Sequence, residues 1–514
     1  MGVKKKSAVI FAAIWLGLTG CEPQSEMAQP IPHTPSPTLD ADTSTPNETK
    51  LTRGVYDDLT TNLYQAKSQA QFQFLRDLFE GLVIVDTEGK VQAGVAEAWQ
   101  STDKKTWFFT LRQEAKWSNG EAVTAHDFVR SWQQLALSDS PLKAYLPFIN
   151  LRNAQAVIAH ELPVEQLGIS AKNDRTLQIE LDKAVPYLPD MLAHVALLPQ
   201  YLDNSEGAFI SNGAYRVEHQ EGAQILLQQN PYYWAKSAVH FEQVFYQKLA
   251  LNSLFTEIDL LFSPSQDSEN TQYFPQLCTY YYEFNFRDPM LKERGVRNAL
   301  VSLISPSAIV QNEGINGRAD GHFLPYNLQQ ENEESWNPTV VEQLLQQQGV
   351  SETKPLQLRL TYDTQGMHSN IAQRIIRMWS QSDMIRVNAE PVSWQQLQEK
   401  RNKGDFQVIR SGWCADYNDP SAFLNLLYSR SPDNKMGYQN DIADKLLEQS
   451  LEANLTSEQR MNVYQQLEQL VQNDYVFLPI FQYRLPVYID PSVGGYKLQN
   501  PTQIIYSKDL YRQK

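Results

Sequence analysis

Residues 412 to 420 read Gly412-Trp413-Cys414-Ala415-Asp416-Tyr417-Asn418-Asp419-Pro420, a loop rich in carboxylates, aromatic rings and unencumbered backbone. A ligand can be held there by main-chain hydrogen bonds and one charged anchor. A second segment, Leu277-Cys278-Thr279-Tyr280-Tyr281-Tyr282-Glu283, carries a cysteine that would lock this loop in place if bonded to Cys414. Catalytic patterns are missing from the sequence. There is no Gly-x-Ser-x-Gly elbow, no His-Glu-x-x-His and no phosphate-cradling glycine loop, and His160-Glu161 lacks a second histidine at helical spacing. The expected chemistry is binding without turnover, with no metal or cofactor.

The N-terminus sets the compartment. Lys4, Lys5 and Lys6 precede an apolar run from Ala8 to Leu18, too short to span a bilayer and of the right length for a signal-peptide core. Leu18-Thr19-Gly20-Cys21 then looks like a bacterial lipobox, so residues 1–20 are expected to be removed and Cys21 to carry lipid. Acyl chains stabilise membrane attachment by about 0.8 kcal/mol per buried CH₂, enough to hold a soluble body at a membrane surface. Residues 21–50 are rich in Pro, Ser, Thr and Asp without aromatics, the composition of a disordered tether. With Cys21 lipidated, Cys278 and Cys414 are the two cysteines left in an exported chain, where disulfides persist. Closing so long a loop stabilises by roughly 5 kcal/mol in the chain-entropy account. Two free thiols is the alternative.

The remaining chain is long enough for two or three domains. Its 44 basic residues against 59 acidic ones give a net charge of -15, and without a basic stripe nucleic acid is excluded as a partner. Strand-like alternation marks 176–181 and 356–362. Helical spacing links Ile371, Ile375, Met378 and Trp379, and again Met461, Tyr464, Leu467, Leu470 and Val471 behind a Thr456/Gln459 capping box. A helix starting at Thr124 should bury Phe128, Trp132 and Leu135. Asn119-Gly120 signals a hairpin with a type I′ turn. Strands interleaved with helices imply α/β lobes.

The 412–420 and 277–283 segments, with Trp107-Phe108-Phe109-Thr110-Leu111-Arg112 and Lys116-Trp117-Ser118-Asn119-Gly120-Glu121, resemble the oligopeptide-binding subfamily of solute-binding protein family 5, the receptors of ABC importers. The resemblance covers nearly everything after the first fifty residues. It implies an α/β, two-lobed periplasmic-binding-protein (type II) fold with an extra inserted domain. Lobe I would comprise 51–79, 177–277 and 484–514, the insertion 80–176, and lobe II 278–483, with chain crossings near 277 and 484 as the hinge. It further implies a monomer in the periplasm or cell envelope, lipid-anchored, taking short peptides to permease subunits.

Site roles follow from the same resemblance. Asp416 matches the carboxylate that receives the ligand's N-terminal ammonium, and Gly412, Trp413, Cys414 and Ala415 would supply the backbone ladder. Arg410, Arg401 and His368 match positions associated with the ligand's C-terminal half, Trp394 a pocket wall, and Tyr145 a residue closing over the ligand. Each has a plainer alternative as a turn, core or solvated residue, and Tyr280, Tyr281 and Tyr282 read as strand residues. Some positions depart from the family pattern: Asn119 replaces an aspartate, Lys67 stands near an expected carboxylate, and Ile304-Ser305-Pro306-Ser307-Ala308-Ile309-Val310 lacks the usual charges. A haem or lipid ligand, or a non-transport surface lipoprotein, are the competing readings.

Overall fold

The structure is a computed structural model that describes residues 48–202, 209–251, 257–329 and 336–513. The signal peptide, Cys21 and nearly all of the expected tether lie outside the described residues. One mixed 11-stranded sheet runs through the molecule. Its centre is an antiparallel pair of long strands, Thr271–Phe284 and Phe477–Ile489. On one side follow Val408–Cys414, Leu356–Asp363 and Ile385–Val392; on the other, Leu260–Phe262, Lys50–Val55, Gln243–Lys248, Gln224–Gln229 and Tyr215–Glu221, and the short Gly317–Ala319 pairs with Phe477–Ile489 off this path. The pairing of the two long strands shifts register between Pro275 and Thr279, beside the crossings expected near 277 and 484. Such an irregularity is a place where paired strands can bend.

A separate antiparallel sheet orders Ala96–Gln100, Thr106–Leu111, Thr176–Glu180 and Ile169–Asn173. Helix Ala125–Leu137 packs on it, capped by Thr124 and Asp127, with Phe128, Trp132 and Leu135 buried as their spacing requires. The boundary expected at 176/177 cuts this sheet's own strand. Thr176–Glu180 pairs with Thr106–Leu111.

Two further expectations are corrected. Around Asn119-Gly120, only Gly120 takes a positive φ (+90°), and the turn closes by Gly120 N–H donating to the Trp117 carbonyl, with a single Lys116–Ala122 bridge. The Asn119 side chain accepts from Glu121 N–H, an Asx-type contact that replaces the type I′ geometry. In helix Ser457–Asn473 the buried residues are Val463, Tyr464, Leu467, Glu468 and Val471. At 100° per residue Met461 lies roughly 90° from the centre of that stripe, and it is 40 % exposed. Helix His368–Trp379 buries Ile371, Ile375 and Trp379 as expected.

Candidate functional site

Strand Val408–Cys414 has two unlike edges. Along one, every residue from Val408 to Cys414 faces a partner in Thr271–Phe284, ending at Cys278 opposite Cys414. The sulfurs of that last pair are bonded, and Ala415 N–H donates to the Leu277 carbonyl just beyond. Along the other, Leu356–Asp363 pairs only at Leu360–Val408 and Thr361–Ile409. Among the described residues no strand covers that edge from Arg410 to Cys414. Unpaired strand edges present donors and acceptors to any extended chain.

Asp416 follows this edge. It is exposed, yet protein stands around it on most sides, and the resulting loss of solvation pushes its carboxyl up to about 6. Among the described residues no donor or cation is paired with it. The loop beyond is fastened down: Asn418 donates to the Gly89 carbonyl at 3.1 Å and accepts from Asn327 at 3.0 Å, and Trp413 donates to the Ala422 carbonyl at 2.7 Å.

Aromatic rings from the inserted unit and its surroundings flank the carboxylate. Tyr417 stacks on Tyr187 at 5.4 Å between centroids, and Phe148 lies 6.3 Å from Tyr417. Tyr145 is buried, stacked on His194 at 3.8 Å, with its hydroxyl donating to the Met191 carbonyl. Burial and then the Asp416 charge hold its phenol well above the ordinary range. The exposed ring here is Phe148, at 42 %. Sequence reading missed Phe148 and Tyr187; their apolar and aromatic neighbours looked like ordinary core.

Arg410 and Arg401 lie on opposite faces of the sheet: alternation along Val408–Cys414 sends Arg410 to one side and Ser411 to the other, and Arg401, on helix Trp394–Lys403, shares Glu283 with Ser411. Arg410 lies between the rings of Trp394 (5.3 Å) and Tyr280 (5.5 Å). Its Nε is 3.1 Å from Asp363, a fully buried carboxylate at the end of the neighbouring strand, and its Nη2 contacts His368 Nε2. Burial and then the Arg410 charge push the His368 imidazole down to about 3, so it is neutral at ordinary pH. Burial raises the Asp363 carboxyl and Arg410 opposes that shift. On the other face Arg401 makes a buried bidentate pair with Glu283, at 2.7 and 3.0 Å to one oxygen, which also accepts from Ser411. The structure thus brings Arg410, His368 and Trp394 together and leaves Arg401 compensated behind them. Asp363 was missed because nothing in its local sequence distinguishes it.

The chain matches the family described as bacterial extracellular solute-binding proteins, family 5 Middle, over residues 90–435. It belongs to that family. It is 50% identical to a putative binding protein of Haemophilus influenzae across 99% of this chain and 98% of the other. It is 33% identical to the periplasmic oligopeptide-binding protein OppA of Salmonella typhimurium, over 85% and 87%. Among solved structures, the unliganded open form of the murein tripeptide-binding protein MppA aligns with TM-score 0.86 at 31% identity, over 91% and 98%. Haemophilus influenzae OppA in complex with RPPGFSPFR aligns with TM-score 0.62 at 28% identity, over 91% and 99%. As a family 5 protein of the peptide-binding type, the chain has the two-lobed α/β fold of periplasmic peptide-binding proteins. No helix among the described residues is long and apolar enough to cross a membrane.

Proposed function

We propose that this family 5 protein is a periplasmic receptor that captures short peptides between its lobes and delivers them to the permease subunits of an ABC importer, tethered to a membrane by lipid on Cys21. The observation that carries the reading is the uncovered strand edge running straight into an unpaired carboxylate at Asp416. An extended peptide adds there as a strand, its backbone satisfied by residues 410–415 and its ammonium by Asp416. Ligands of varied side chains share those two features, which suits a general receptor. The better match to an open, unliganded relative than to a peptide complex of similar identity supports a resting state with lobes apart. Ligand then shifts the equilibrium by its preference for the closed arrangement.

Calorimetry with a tripeptide and its N-acetyl derivative, joined to small-angle scattering, tests this. Binding of the free amine with contraction of the particle, and weak binding of the acetylated form, is the expected result. Equal affinity for both, or unchanged dimensions at saturation, overturns it.

A further inference from the structure

The three groups that the family resemblance offers for a ligand carboxylate carry no uncompensated charge here. Arg401 is paired with buried Glu283, and His368 is neutral. Arg410 faces Asp363 at 3.1 Å, and Asp363 is 0 % exposed, so no solvent intervenes to weaken that attraction. Burial is the larger influence on the Asp363 carboxyl and raises it, and the guanidinium at this distance opposes that rise by favouring the ionised form. The two opposite charges lie together, almost wholly buried, with Arg410 between two aromatic rings, while among the described residues no cation is paired with Asp416.

We infer that Asp363 determines specificity: by neutralising Arg410 from behind, it fits this receptor to ligands that carry an ammonium at one end and need no free carboxylate at the other. This deepens the peptide-receptor reading and rests on it. The ligand class is amine-headed peptides that are C-terminally blocked, or long enough for the terminal carboxylate to lie beyond Arg410. Asp363 is buried and does not touch the ligand; it acts through the charge it cancels.

The test compares a tripeptide acid with its C-terminal amide on wild-type protein and on Asp363→Asn. Wild type binds the two within about threefold, and Asp363→Asn gains about tenfold or more for the acid with the amide unchanged, the scale of coupling between close charges. A wild-type preference for the acid above about tenfold overturns the inference without needing any variant to fold. A second arm avoids peptides: thermal shift with propionate against propionamide. A larger response to propionate in Asp363→Asn than in wild type supports the inference; identical responses in the two proteins overturn it. If no peptide binds but the propionate difference appears, the peptide reading falls and the charge cancellation stands.

Discussion

Two aspartates lie at or just beyond the C-terminal ends of neighbouring strands, and they behave oppositely. Asp363 closes strand Leu356–Asp363, is wholly buried and faces a guanidinium; Asp416 lies two residues past strand Val408–Cys414, is exposed and faces none. The same side chain is thus an internal counter-ion in one place and, among the described residues, an unpaired carboxylate in the other. The difference comes from register: strand pairing lets Asp363 reach back to Arg410, whereas Asp416, just beyond the disulfide and the Ala415–Leu277 hydrogen bond, has no cation paired with it among the described residues.

The sharpest way to break this contrast is at the compensated charges. Arg401→Met leaves Glu283 buried without its partner and should lower unfolding stability by about 3–5 kcal/mol in urea titrations, while affinity for a peptide acid in the surviving folded fraction stays unchanged. A comparable fall in affinity would mean that Arg401 works in the cleft. Asp416→Asn is the counterpart at the open end. It should cost about 2–5 kcal/mol of affinity for free-amine peptides by calorimetry, with acetylated peptides unaffected. Proton competition provides a finer probe. Ammonium capture needs ionised Asp416 and a protonated amine, so affinity for free amines is flat between about pH 6 and the amine's own pKa of about 8, and falls by about tenfold per unit as pH drops below 6. Stability of the empty protein runs the other way: a folded-state pKa raised above the ordinary value favours the fold at low pH, and that contribution is lost as pH rises through about 6. Asp416→Asn should flatten both dependences. The smallest effect is expected from Phe148→Ala. Its half-exposed ring should contribute below about 1 kcal/mol to stability while weakening ligands with a bulky first residue more than those with glycine.

Much of the framework is legible locally. The helix start at Thr124, the Thr456 capping box, the buried faces of the 125–137 and 368–379 helices, and the strand over 356–362 all follow from signals confined to a few turns or residues. The cysteine pairing followed from three cysteines and an exported chain, and the structure puts Cys278 directly opposite Cys414. Locality is also where the reading erred. The type I′ turn at Asn119-Gly120 and the burial of Met461 each assumed flanking packing that the tertiary arrangement does not supply.

By itself the sequence determined the elements, the bonded cysteines and an acidic loop beside them, since propensity, periodicity and cysteine count act over short stretches or by elimination. The family resemblance named Arg410, Arg401 and His368 together for the ligand's C-terminal half. Only the tertiary structure decided that Glu283, 118 residues from Arg401, cancels one of them on the far face of the sheet, that Asp363 cancels another from the next strand, and that burial keeps the histidine neutral. Net charge at a site is a sum over neighbours in space, and strand order and register choose those neighbours.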